Sequence, residues 1–182
     1  MYMAKVYVFL IDGFEEIEAL TAVDVLRRAD CEVVTVSLNQ ETIVTGGHRV
    51  PVVCDARFED LTFADADLLL LPGGTVALAE HEGLKTLVAS AASQNKLVAA
   101  ICAAPMVLGQ LGVLKGRKAT CYPGFESYLE GAEVLTQNAV CDGNIITGRA
   151  PGASMHFALA VVEKLVGKDK ADELAAAMCV TR

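Results

Sequence analysis

Leu97-Val98-Ala99-Ala100-Ile101-Cys102-Ala103-Ala104-Pro105-Met106 decides how the chain is to be folded. Five consecutive apolar residues read as a buried strand, and the residues after Pro105 have helical spacing, so Cys102 falls where a strand breaks abruptly into a helix. A tight turn of this kind lifts its residue above the sheet, and the small side chains of Ala100, Ala103 and Ala104 leave the backbone room. Free amides at the helix start favour thiolate over thiol, which predicts a lowered pKa for Cys102. Taken alone, the stretch fits two readings equally well: a reactive nucleophile, or a small buried apolar residue.

Working outward, the same alternation recurs. Lys5 to Ile11 is a continuous apolar, β-branched and aromatic run suited to a strand covered on both faces. Asp12-Gly13 ends it, and from Glu15 to Arg28 apolar residues return at helical spacing, with acids first and bases last. Glu32 to Leu38 is a second strand, completing a βαβ unit with an expected right-handed crossover. Ile43 to Thr45 and Arg49 to Cys54 flank Gly46-Gly47 as a small peripheral hairpin. Asp67 to Leu71 is a short buried strand ending at Pro72-Gly73-Gly74, followed by one or two helices up to Gln94. Beyond the Cys102 turn a helix runs to about Leu111, and Lys118 to Cys121 reads as a strand. Strand pieces follow at 134–135, 139–141 and 144–147 around an Asp142-Gly143 turn, then helices near 153–166 and 170–178. One α/β domain over residues 1–182 with a mainly parallel, doubly wound sheet is the expected architecture.

In such a sheet, sites lie at the carboxyl ends of the strands. Asp12 to Glu18, Pro72-Gly73-Gly74 and Cys102 all follow strands, so three loops are expected to converge. Acids at a helix start often do no more than complement the dipole, and that is the plainer account of Glu15, Glu16 and Glu18. If Glu18 instead faces Cys102, a carboxylate and a thiolate cannot cheaply share a buried site, and Glu18 stays protonated, donates to sulfur and can shuttle a proton. Gly73, Gly74 and Ala103 offer backbone amides for an oxyanion, although a Pro-Gly-Gly is also simply a turn. His48, His81 and His156 are not assigned to the cysteine by spacing and read as ordinary surface or helix-face residues.

Composition narrows the function classes. With 53% hydrophobic and 21% charged residues, the chain is neither disordered nor membrane-spanning. A net charge of -8 with scattered basic residues argues against a nucleic-acid binder. The N-terminal residues lack a signal pattern, so a cytoplasmic location is expected. The six cysteines are widely spaced and include no CxxC pair, so neither a disulfide framework nor a metal site is expected.

Asp12-Gly13-Phe14-Glu15-Glu16-Ile17-Glu18, Ala22-Val23-Asp24-Val25-Leu26-Arg27-Arg28, Leu71-Pro72-Gly73-Gly74, Ala99-Ala100-Ile101-Cys102-Ala103-Ala104-Pro105 and Arg149-Ala150-Pro151-Gly152 together resemble the ThiJ/PfpI superfamily, in the branch of the parkinsonism-associated protein deglycase. The resemblance spans essentially the whole chain. It implies a flavodoxin-like three-layer sandwich, a homodimer, Cys102 as reactive cysteine in a strained nucleophile elbow, and Glu18 as the carboxylate bonded to it. Gly74 and Ala103 correspond to the amides beside the sulfur, Arg28 and Arg49 to basic residues near interface and site, and Cys54 to a peripheral interface cysteine. Tyr122 stands where some relatives carry a histidine, which weakens a peptidase or amidase reading; Pro151 lies in the segment flanking the site. The activity implied is cofactor-independent conversion of small reactive carbonyls, as glyoxalase or deglycase. The alternative is an oxidative-stress sensor or chaperone in which Cys102 is oxidised to sulfinic acid.

Overall fold

The computed structural model describes residues 3–181. In chain order it contains β1 (Lys5–Leu10), α1 (Glu16–Arg28), β2 (Glu32–Ser37), β3 (Ile43–Thr45), β4 (Pro51–Val53), β5 (Ala56–Arg57), β6 (Leu68–Leu71), α2 (Glu82–Ser93), β7 (Leu97–Ile101), α3 (Pro105–Gln110), β8 (Lys118–Ala119), β9 (Glu133–Val134), β10 (Ala139–Asp142), β11 (Ile145–Gly148), α4 (Ser154–Leu165) and α5 (Lys168–Ala177). Seven strands form one sheet in the order β10-β11-β7-β6-β1-β2-β5. All neighbours are parallel except the edge pair β10 and β11.

Strand alternation sorts the core into two layers. Val6, Val8 and Leu10 of β1, with Leu68, Leu70, Ala99 and Ile101, face α1, α4 and α5. Tyr7 and Phe9, with Leu69, Leu71, Val98 and Ala100, face α2, α3 and the β8 region. Coverage on both faces is why these strands read as unbroken apolar runs rather than alternating ones. The flavodoxin-like three-layer sandwich is therefore the observed architecture.

Two local differences from the sequence reading have physical causes. The strand at 118–121 is only two residues long, because Thr120 donates its N–H to the Thr147 side chain instead of continuing a ladder. The helical segment expected before Gln94 is present as a short 3-10 turn over 77–80 and α2, whose start is capped by His81 Nδ1 accepting from Leu84 N–H at 3.0 Å. The β3–β4 hairpin is not peripheral. Its turn is bonded to the segment linking β1 to α1, through Gly13 N–H to Thr45 O and Gly47 N–H to Phe14 O, both at 2.8 Å.

Candidate active site

Cys102 follows the last residue of β7 and has φ of 66°, in the left-handed region that a side chain avoids. Two bonds from different parts of the chain hold it there. Its own N–H donates to Gly148 O at the end of β11 at 2.9 Å, and Tyr122 N–H donates to its carbonyl at 2.8 Å. The turn then enters α3 with Pro105 at its start, where a missing N–H costs nothing.

Glu18 lies in the first turn of α1 and is fully buried. Its Oε2 accepts from Gly73 N–H at 2.7 Å, while its Oε1 is buried with no hydrogen-bond partner of its own among the described residues. Gly73 has no room for a side chain: a Cβ there would lie 2.7 Å from Cys102 Cβ, 2.8 Å from Glu18 Oε2 and 2.9 Å from Ala103 N. Gly74, at φ of 91°, packs its α-carbon against the Glu15 amide, and Gly73 O accepts from Glu15 N–H at 2.9 Å. The Pro-Gly-Gly loop thus brings helix start, carboxyl and thiol into contact.

The electrostatics depart from the sequence expectation for the thiol. Burial pushes Cys102 up to about 12, the charge and hydrogen bond of Glu18 push the same way, and the Ala103 and Gly74 amides oppose them without winning. The helix-start effect is present, but desolvation and a neighbouring carboxylate outweigh it. Burial also raises Glu18, to about 7, against the lowering influence of Cys102 and the Gly73 amide. With the carboxyl at about 7 and the thiol at about 12, Glu18 is the first of the pair to lose its proton, and the negative charge then rests on the carboxylate beside a protonated thiol.

Of the amides expected to receive an oxyanion, Gly73 is committed to Glu18, which leaves those of Gly74 and Ala103 facing sulfur. Tyr122 lies against the elbow through its backbone and exposes its ring. Pro151 opens the short turn leading into α4, where its carbonyl accepts from Ser154 Oγ at 2.7 Å. Arg49 occupies the hairpin turn, with φ of 66°. Arg28 is at the far end of α1, paired with Asp24 at 2.7 Å and about 15 Å along the helix from Glu18; within one chain it is not brought to the cysteine. Cys54 is buried, and its thiol is pushed up to about 11, mainly by burial.

Sequence reasoning missed the use made of Glu16. This residue is buried, and its carboxylate accepts from His48 N–H at 2.7 Å and meets His48 Nδ1 at 2.8 Å. The hairpin turn is therefore clasped to α1 one turn from the site, and the partnership lowers Glu16 and raises His48. Two adjacent acids opposite a Gly-Gly-His turn were the available signal. His81 is spent on capping α2, and His156 lies in the first turn of α4.

The family model described as the DJ-1/PfpI family matches residues 4–164. Protein DJ-1 homolog B of Arabidopsis thaliana is 38% identical over 97% of this chain, which spans only 41% of that relative's length. A protein named as a deglycase from Pyrococcus abyssi is 32% identical, over 81% of this chain and 91% of its own. The crystal structure of Drosophila melanogaster DJ-1beta superposes with a TM-score of 0.94 at 35% identity, each chain being covered in full. With a strained cysteine, a buried glutamate and a Gly-Gly loop meeting at the carboxyl ends of a parallel sheet, this chain belongs to the DJ-1/PfpI family.

Proposed function

We propose that this chain is a cysteine-dependent stress-response protein that converts small reactive α-oxoaldehydes to hydroxy acids without glutathione, and that the same chemistry extends to early carbonyl adducts as a deglycase. One observation carries the proposal: a fully buried Glu18 carboxyl meeting Cys102 across Gly73, with the cysteine held on a strained turn. The Glu18 carboxylate accepts the thiol proton as sulfur adds to the aldehyde carbon, giving a hemithioacetal. The acid then returns that proton to the new alkoxide. Glu18 next removes the proton from the former aldehyde carbon while the adjacent ketone oxygen is protonated, giving an enediol, and then delivers the proton to the adjacent carbon as the hydroxyl on the sulfur-bearing carbon loses its own, leaving a thioester next to a hydroxyl. Water cleaves the carbon–sulfur bond, releasing the hydroxy acid and restoring the thiol. No metal or organic cofactor enters this sequence. With methylglyoxal and no added thiol, lactate forms, and Cys102→Ser and Glu18→Gln each reduce its rate at least a hundredfold; wild-type turnover at the buffer rate would overturn the proposal.

The unpartnered Glu18 Oε1 favours a second reading, oxidative-stress sensing. When protonated it can donate to an oxygen placed on sulfur, which stabilises the sulfinate formed as two peroxide molecules each transfer one oxygen and leave as water. Under graded peroxide, intact mass should rise by two oxygens, lost in Cys102→Ser; equal oxidation of all six cysteines would argue for exposure alone. Peptidase or amidase chemistry ranks below both, since His48 is engaged by Glu16 and His81 by α2.

A homodimer fits the exposed Ile17 and Leu20 of α1 and Val53 of the hairpin, with Arg28 at the end of the same helix and Arg49 in the hairpin turn. A sedimentation mass of 19.2 kDa would exclude it. No helix among the described residues is long and apolar enough to cross a membrane, and a cytoplasmic location is part of the same proposal.

A further inference from the structure

Tyr122 leaves the backbone beside the residue that carries the reactive sulfur, because its N–H is bonded to the Cys102 carbonyl at 2.8 Å. Two more rings continue from it: Phe125 stands edge-on to Tyr122 at 6.3 Å between centroids, and Tyr128 is tilted against Phe125 at 5.6 Å. Tyr122 and Tyr128 are 43% and 46% exposed, while Phe125 between them is half-buried and anchors the row on the core layer under α2 and α3. The row is not a loose loop. Phe125 N–H donates to Tyr122 O and Tyr128 N–H to Phe125 O, both at 3.0 Å. Glu126 accepts from Gly124 N–H at 2.7 Å, and Gly109 on α3 packs directly against the Tyr128 carbonyl, where no side chain would fit. Two exposed rings carried on a half-buried, core-anchored third, starting next to the residue that bears the nucleophile, make a prepared surface for another ring.

We infer that Tyr122, Phe125 and Tyr128 form an aromatic rail that selects, for reaction at Cys102, electrophiles carrying a planar apolar substituent, so that aryl α-oxoaldehydes are preferred to methylglyoxal. A ring on the substrate gains edge or offset contact with Tyr122 that a methyl group cannot supply. The aldehyde half of this inference rests on the carbonyl chemistry proposed above; the selectivity for rings does not.

Alkylation separates the two. Iodoacetamide and its N-phenyl analogue iodoacetanilide each react with the sulfur by forming a carbon–sulfur bond and expelling iodide, with the thiol proton passing to Glu18. Rates are read at Cys102 by peptide mass and expressed as the ratio of the two reagents, referenced to the same ratio on free cysteine. The referenced ratio should exceed one by roughly three- to tenfold. It should fall toward one in Tyr122→Ala and also in Phe125→Ala, either of which suffices if the other does not fold. The kcat/KM of phenylglyoxal should exceed that of methylglyoxal by a similar factor. A referenced ratio of one in the wild type overturns the rail even if methylglyoxal is turned over. A raised ratio that neither substitution changes overturns it as well. A raised ratio that both variants abolish, without turnover of either aldehyde, supports the rail and removes the carbonyl chemistry.

Discussion

At Cys102 a side chain is held at a backbone angle that costs about 1–2 kcal/mol outside glycine, and the bonds to Gly148 and Tyr122 keep it there. What the strain supplies is position: the sulfur is directed at Glu18 and toward the amides of Gly74 and Ala103. Because the pair releases its first proton near 7, the pH dependence of Cys102 reactivity follows Glu18 rather than an ordinary thiol. Alkylation at Cys102 should rise about tenfold per pH unit below 7 and level off above it. In Glu18→Gln the step near 7 should vanish and reappear at higher pH, since no carboxylate remains to accept the proton. A wild-type profile that rises only above pH 8.5, as a free thiol would, contradicts the coupling.

At the scale of the element, the start of α1 shows what a sequence can and cannot disclose. Glu15, Glu16 and Glu18 are indistinguishable by composition and dipole logic, yet Glu18 turns into the core toward Gly73 while Glu16 turns toward the hairpin and clasps His48. Truncating Glu16 to Ala removes the acceptor of the His48 amide and ring and should lower the urea midpoint, moderately because water can reach the exposed His48. Faster hydrogen exchange should then be confined to the 45–50 turn; uniform loss of protection would mean that the hairpin is not separately held. The Glu16 contribution is present above the carboxylate's unfolded pKa and is lost as pH falls through its lowered folded value. The strands β1, β6 and β7 were legible because burial on two faces writes a continuous apolar run. The two-residue strand β5 was not, because its pairing of Ala56 with Val36 of β2 depends on a distant partner rather than on local pattern, whereas the strands read at 118–121 and 134–135 are present as β8 and β9 in shortened or shifted form. The convergence of three strand-end loops followed from topology, and the thiol's raised pKa did not, because desolvation is a property of the assembled core.

For the molecule as a whole, the sheet can be read as a frame that carries a destabilising group at its centre. Glu18 ionises near 4.5 in an unfolded chain and near 7 when folded, so its folded pKa is raised. A raised pKa contributes stability that is complete below 4.5 and is lost as pH rises through 7. At pH 8 the folded protein bears the cost of a buried carboxylate, on the order of 3 kcal/mol. Cys102 does not add to this change, since its own raised value lies well above that range. Glu18→Gln removes the titration while keeping a polar group against the Gly73 amide. Its stability relative to wild type should therefore increase between pH 4 and pH 8 by up to that amount, observable as a gain in Tm of roughly 2–4 °C per kcal/mol for a chain of this size. The same substitution abolishes the proposed activity, so stability and turnover move in opposite directions at one residue, the signature of a carboxyl retained for chemistry. If the stability difference between variant and wild type is flat from pH 4 to pH 8, Glu18 is not titrating in the core, and its role as the base beside Cys102 fails with it.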